Sequence, residues 1–261
     1  MSYDLMIFEK NKIPANQSDF LNWYKQKMEC DNERDISSTS EKIQKVFHSL
    51  RNIFPPMNGL YAVDEKVLSE NPEMENYLCD YFIAEDMIYL SFSYSVSEFA
   101  YNTVKRVAYF SDVGFFNPND NSLPIVFDSR CPMLLEGQWF QPKEIDSFDN
   151  IKEKLNSMTV KNRSYLYVTD QIGNYIQIGG YRNSFTVEKR VYVTPTAYTH
   201  CKAGYCANEH SSDLGEVIIA GNRVKLKQNQ ILSQSTAELL FLDFFQGIET
   251  MNTIEWVEMD M

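Results

Sequence analysis

IAEDMIYLSFSYSVSEFAYNTVKRVAYFSDVGFF, residues 83–116, reads as strand, capped helix, strand. Ile88, Leu90, Phe92 and Tyr94 alternate with Met87, Tyr89, Ser91 and Ser93, the period-2 pattern of a strand with one buried face. Ser95-Val96-Ser97-Glu98 has the form of a capping box, with Tyr94 and Phe99 placed as a hydrophobic staple over it. Ala100, Val104, Val107 and Ala108 then recur at helical spacing on one face. Gly114 breaks the helix, and Phe115-Phe116 opens a second strand. Such a unit builds an α/β layer and carries no chemistry of its own.

The flanking chain extends this pattern. Tyr3, Leu5 and Ile7 alternate as a first strand, and Phe20, Leu21, Tyr24 and Met28 share a helix face. Ser38-Thr39-Ser40-Glu41 is a second capping box, opening a helix with Ile43, Val46, Phe47, Leu50 and Phe54 inward. Pro55-Pro56 ends that helix, because proline lacks the amide and restrains its predecessor. A hairpin over 81–94 turns at Glu85-Asp86. Residues 128–145 hold two prolines, a glycine and no clear period, so they are expected to be a linker.

Beyond residue 145 the texture turns β-rich. Ser147 caps a helix carrying Phe148, Ile151, Leu155 and Met158. Strand patterns follow at 165–168, 175–178, 185–193 and 196–205, and a hairpin turns at Gly221-Asn222 in the type II′ manner. Ser235-Thr236-Ala237-Glu238 starts a last helix with Leu240, Phe241, Phe244 and Ile248 inward, ending at Gly247. A short strand at 254–257 closes the pattern. The expected fold class is α/β (α+β) in two domains. A small mixed sheet with three helices spans 1–127; a mostly antiparallel sheet packed with two helices spans 146–261.

The formal charge of −12 disfavours nucleic acid, whose phosphates the summed field repels, and favours basic partners. No apolar run reaches the ~20 residues of a membrane span, so no membrane contact is expected. Five cysteines and no apolar leader fit free thiols in a reducing cytoplasm. Residues 64–86 carry Asp64, Glu65, Glu70, Glu73, Glu75, Asp80, Glu85 and Asp86 against Lys66 alone. That density suits either a solvated surface or a docking face for a basic protein. Glu70, Glu73, Glu75, Asp80, Glu85 and Asp86 are the first candidates for contact.

His200, Cys201, Cys206 and His210 are the one cluster with zinc-type ligands, and they frame the alternative of a metal-stabilised or thiol-dependent module, or an unrecognised hydrolase. Their spacing is loose, and adjacent His200 and Cys201 point opposite ways on an extended strand. The competing reading is two small buried thiols with surface histidines. Cys206 with His210 as nucleophile and base lacks any surrounding motif. No phosphate-cradling loop, nucleophile elbow or metalloprotease helix is present, and no cofactor is expected.

MSYDLMIFE, FPPMNG and SYSVSEFAYNTVKRVAYFSDVGFFNPN together resemble a family of bacterial cytoplasmic proteins. The later half, with YIQIGGYRNSFTVEKR, the Gly221-Asn222 hairpin, STAELLFLDFFQG and TIEWVEMD, resembles immunity proteins of polymorphic toxin systems. The resemblance implies a cytoplasmic, non-enzymatic protein that binds and blocks a contact-dependent or secreted toxin. It transfers no site residue.

Overall fold

The computed structural model describes residues 2–14, 16–29, 34–120, 123–127, 132–158, 163–206 and 213–259. The chain forms two compact units, Met1–Asp128 with Thr194–Thr196, and Ser129–Val193 with Ala197–Met261. The fold is α/β, with antiparallel sheets and packed helices.

In chain order the first unit contains β1 (Ser2–Phe8), α1 (Gln17–Glu29), α2 (Glu41–Arg51), α3 (Glu65–Glu70), β2 (Cys79–Ile83), β3 (Met87–Ser93), α4 (Ser97–Phe110) and β4 (Gly114–Phe116). Its sheet runs β2-β3-β1-β4 with every pairing antiparallel, where a mixed sheet was expected. Alternation sorts its side chains into two cores. Leu5, Ile7, Ile88, Leu90, Phe92 and Phe115 pack with the apolar stripes of α2 and α4. Met6, Phe8, Met87 and Phe116 pack on the other side with Phe20 of α1. The sheet is therefore covered on both faces, and the single buried face expected for β3 does not hold: Met87 is fully buried and Tyr89 half-buried. Trp23 joins this second core, while Leu21, expected inward, is exposed.

Three helix starts differ from the expected capping boxes. Ser40, not Ser38, caps α2 by accepting from the Ile43 amide. Ser93, not Ser95, caps a 3-10 turn over Tyr94–Val96, and α4 begins behind it without a side-chain cap. Tyr94 and Phe99 form no staple: Tyr94 meets Tyr3, and Phe99 meets Phe54 and Tyr77. Gly114 does not break α4, which ends at Phe110 before the left-handed Asp112. Gly114 is needed in β4, where a Cβ would collide with the ring of Phe8.

The second unit contains β5 (Met133–Gly137), β6 (Phe140–Ile145), α5 (Phe148–Asn156), β7 (Tyr165–Thr169), β8 (Tyr175–Tyr181), β9 (Ser184–Tyr192), β10 (Tyr198–Tyr205), β11 (Leu214–Ile219), β12 (Asn222–Lys227), α6 (Gln234–Gln246) and β13 (Ile254–Glu258). The order β13-β10-β9-β8-β7-β5-β6 makes one wholly antiparallel sheet, and β11-β12 stands as a separate hairpin. The segment expected as a linker, 128–145, instead supplies the β5-β6 hairpin. A bulge between Leu135 and Gly137 shifts its register, and Pro142 sits on the edge strand, where a missing amide is tolerated; both hide the period.

Ser147 caps α5 as expected, and Ser233 rather than Ser235 caps α6. Ile151 and Leu155 of α5, with Ala237, Leu240 and Phe241 of α6, cover one face of the sheet through Leu166, Val168, Ile176, Ile178 and Val187. Ile248 lies beyond α6 and is exposed. The hairpin turn is Ala220-Gly221, with φ of 50° and 86°, so it is type I′ and not type II′. Among the described residues no helix is long and apolar enough to cross a membrane.

Candidate functional site

α2 ends at Arg51 with Asn52 as its C-cap, before the prolines expected to stop it, and past Pro55-Pro56 the chain runs as a strap, residues 57–78, across the α2/α4 side of the first unit. Asp64 caps α3 by accepting from the Lys66 amide, and Pro72 opens a 3-10 segment over Pro72–Tyr77. Backbone bonds tie the strap down at both ends: Met57 donates to the Cys79 carbonyl at 2.9 Å, and Cys79 donates to Pro55 at 3.0 Å. Tyr77 packs edge-on against Phe99, which in turn meets the buried Phe54. Tyr61 rests on Phe47, with the Arg51 guanidinium 4.3 Å above its ring.

The strap is anchored by rings yet leaves much apolar surface outside. Leu60 is 86% exposed and Met57 52%, and Tyr61, Val67, Tyr77 and Phe99 are also exposed. Glu70, Glu73 and Glu75 belong to the same strap, on α3 and the 3-10 segment, and all are exposed. None of the three makes an ion pair among the described residues. Exposed apolar groups and unpaired charges carried on one segment are the ingredients of a protein-binding surface.

The remaining acidic candidates are not part of this surface. Asp80 is exposed but projects from the face of β2 opposite Cys79 and Tyr81. Glu85 is exposed in the β2-β3 turn and pairs with Arg34 at 3.2 Å. Asp86 is only 8% exposed, and Lys27 of α1 grips both its carboxylate oxygens at 2.7 and 2.8 Å. It forms a structural ion pair and is not a free contact group. The apolar members of the strap were missed in the sequence because isolated Leu, Met and Tyr in an acidic stretch show no period.

The cysteine-histidine candidates fare differently. His200 lies on the polar face of β10, 3.4 Å from the Tyr175 hydroxyl and 3.5 Å from Glu188. Cys201 faces the helix side, across from Lys189 and Glu258. Cys206 is exposed past the end of β10, not buried, with its thiol toward the Asn252 carbonyl. His210 lies outside the described residues. Among the described residues no group of three His, Cys, Asp or Glu is arranged to hold a metal. Cys79 is a buried thiol whose pKa burial drives well above the ordinary value, so it is a poor nucleophile. Compared with known proteins, the chain matches no family model, no curated protein and no solved structure.

Proposed function

We propose that this chain is a bacterial immunity protein: a non-enzymatic cytoplasmic inhibitor that binds and neutralises a toxin presenting a basic surface. The strap is its contact face. The observation that carries this reading is the coincidence, on one tethered segment, of exposed Leu60 and Met57 with the unpaired carboxylates Glu70, Glu73 and Glu75. The exposed apolar groups supply affinity on desolvation, and the carboxylates raise the encounter rate with a basic partner. The net charge of −12 adds a long-range field of the same sign. The resemblance to immunity proteins supports the identity of the partner as a toxin.

The test is co-expression with the product of the adjacent upstream gene. Rescue of growth by this chain is the expected outcome. A gene product that is harmless alone, or equally lethal with and without this chain, overturns the reading.

A further inference from the structure

We propose that the second unit holds a small-molecule site on the polar face of its sheet, taking a neutral, hydroxyl-bearing ring the size of one monosaccharide. This site is independent of the strap. Strand alternation sends Tyr165 and Tyr167 of β7, Gln177 and Gly179 of β8, and Thr186 and Glu188 of β9 to the face opposite the helices. They stand in two cross-strand rows, Tyr165-Gly179-Thr186 and Tyr167-Gln177-Glu188.

The β11-β12 hairpin approaches this face at Gly179. A Cβ there would run into the δ-methyl of Ile219, so the bare glycine is what admits the hairpin. Between Ile219, the two tyrosines and the Gln177/Glu188 pair lies a cleft of about 180 Å³. That exceeds the ~150 Å³ apolar cavity that holds benzene. It falls below the ~300–1,000 Å³ of drug-sized sites, so it fits a single ring.

The charges select against ions. Glu188 accepts from Gln177 at 2.6 Å and pairs with Lys202 at 3.2 Å and His200 at 3.5 Å. Glu188 repels an anion, and because Gln177 and Lys202 already engage its carboxylate, a cation finds no free counter-charge in the lining. A neutral ligand meets neither penalty. Its polar groups must both donate and accept, as hydroxyls do, because the cleft offers carboxylate and carboxamide acceptors together with a threonine hydroxyl. Thr186 is only 5% exposed and its Oγ1 has no hydrogen-bond partner. An unpaired buried hydroxyl is disfavoured by about 1–3 kcal/mol, a deficit that a ligand hydroxyl would relieve. The tyrosine bodies supply the apolar wall for a ring's C–H face.

Saturation-transfer NMR on the full chain tests this, with the methyl glycosides of glucose, galactose, mannose and N-acetylglucosamine as probes. Each is used at ~10 mM, enough to occupy most of a millimolar site. Transfer to at least one glycoside is expected, falling at least several-fold in Thr186→Val and in Tyr165→Ala. Thr186→Val keeps the shape and removes only the unpaired hydroxyl. Tyr165 is partly exposed, so its loss spares the fold. Absence of transfer from every glycoside overturns the proposal, as does transfer unchanged in both variants. Transfer from uracil, lysine or acetate with none from a glycoside also overturns it.

Discussion

Asp86 and Asp112 are both carboxylates gripped by lysines, yet they act differently because one is buried. Among the described residues Lys27 is the only cation paired with Asp86, and the carboxylate has little water to fall back on. Lys27→Met should therefore lower stability by about 1–3 kcal/mol, the range for stranding a buried polar or charged group. Adding Asp86→Asn should recover most of that loss, both read from urea midpoints. Asp112 is exposed, and hydrogen bonds from Lys10 and Lys42, at 2.8 and 2.7 Å, hold its pKa down to about 2. A lowered carboxylate pKa stabilises the fold above the unfolded value of about 3.9 and loses that stabilisation as pH falls toward 2. Solvent screening limits each such pair to roughly 0.2–1 kcal/mol. Asp112→Asn should cost a small decrement in Tm at pH 6 that shrinks as pH falls through about 2; a gap of undiminished size at pH 2 would contradict the account. The serine caps show what was and was not legible at this scale. Ser38/Ser40, Ser93/Ser95 and Ser233/Ser235 offer two candidates each, two residues apart. The motif finds the helix start, but tertiary packing selects the serine.

At the scale of elements, apolar periodicity located the longer helices, but it missed α3, which buries no residue, so the first unit holds four helices among the described residues where three were expected. The stripes Ile43-Val46-Phe47-Leu50 and Ala100-Val104-Val107-Ala108 are all buried as read. Sequence could not reveal that α1 covers the second face of the first sheet, because Tyr89 and Ser91 look polar enough for solvent. Nor could it reveal β5 and β6, whose bulge and proline erase the alternation. The close approach of β4 to β1 was equally hidden, and Gly114 was read as punctuation. Gly114→Ala places a methyl against the fully buried Phe8 ring and should destabilise the first unit by about 1–3 kcal/mol, as overpacking does. Phe8→Leu in the same chain should restore part of the loss, measured by thermal unfolding; additive losses would show that the two positions do not compete for space.

For the whole molecule, charge and burial together set the functional reading. Composition pointed to a basic partner and to the stretch 64–86, but only three of its six candidate contacts end up on one surface. Glu70, Glu73 and Glu75 stay exposed on the strap that carries the exposed apolar groups, whereas Asp80, Glu85 and Asp86 lie elsewhere. Steering and adhesion should therefore separate kinetically. Leu60→Asp removes the most exposed apolar group of the strap and should speed dissociation with little effect on fold stability. The most direct measurement is stopped-flow association of the proposed toxin partner with wild type and with the Glu70→Lys, Glu73→Lys, Glu75→Lys triple variant, at low and high ionic strength. The account predicts several-fold slower association of the variant at low salt, a gap that closes at high salt as the charges are screened, and near-equal dissociation. Equal association rates for the two proteins at both salt concentrations would contradict it.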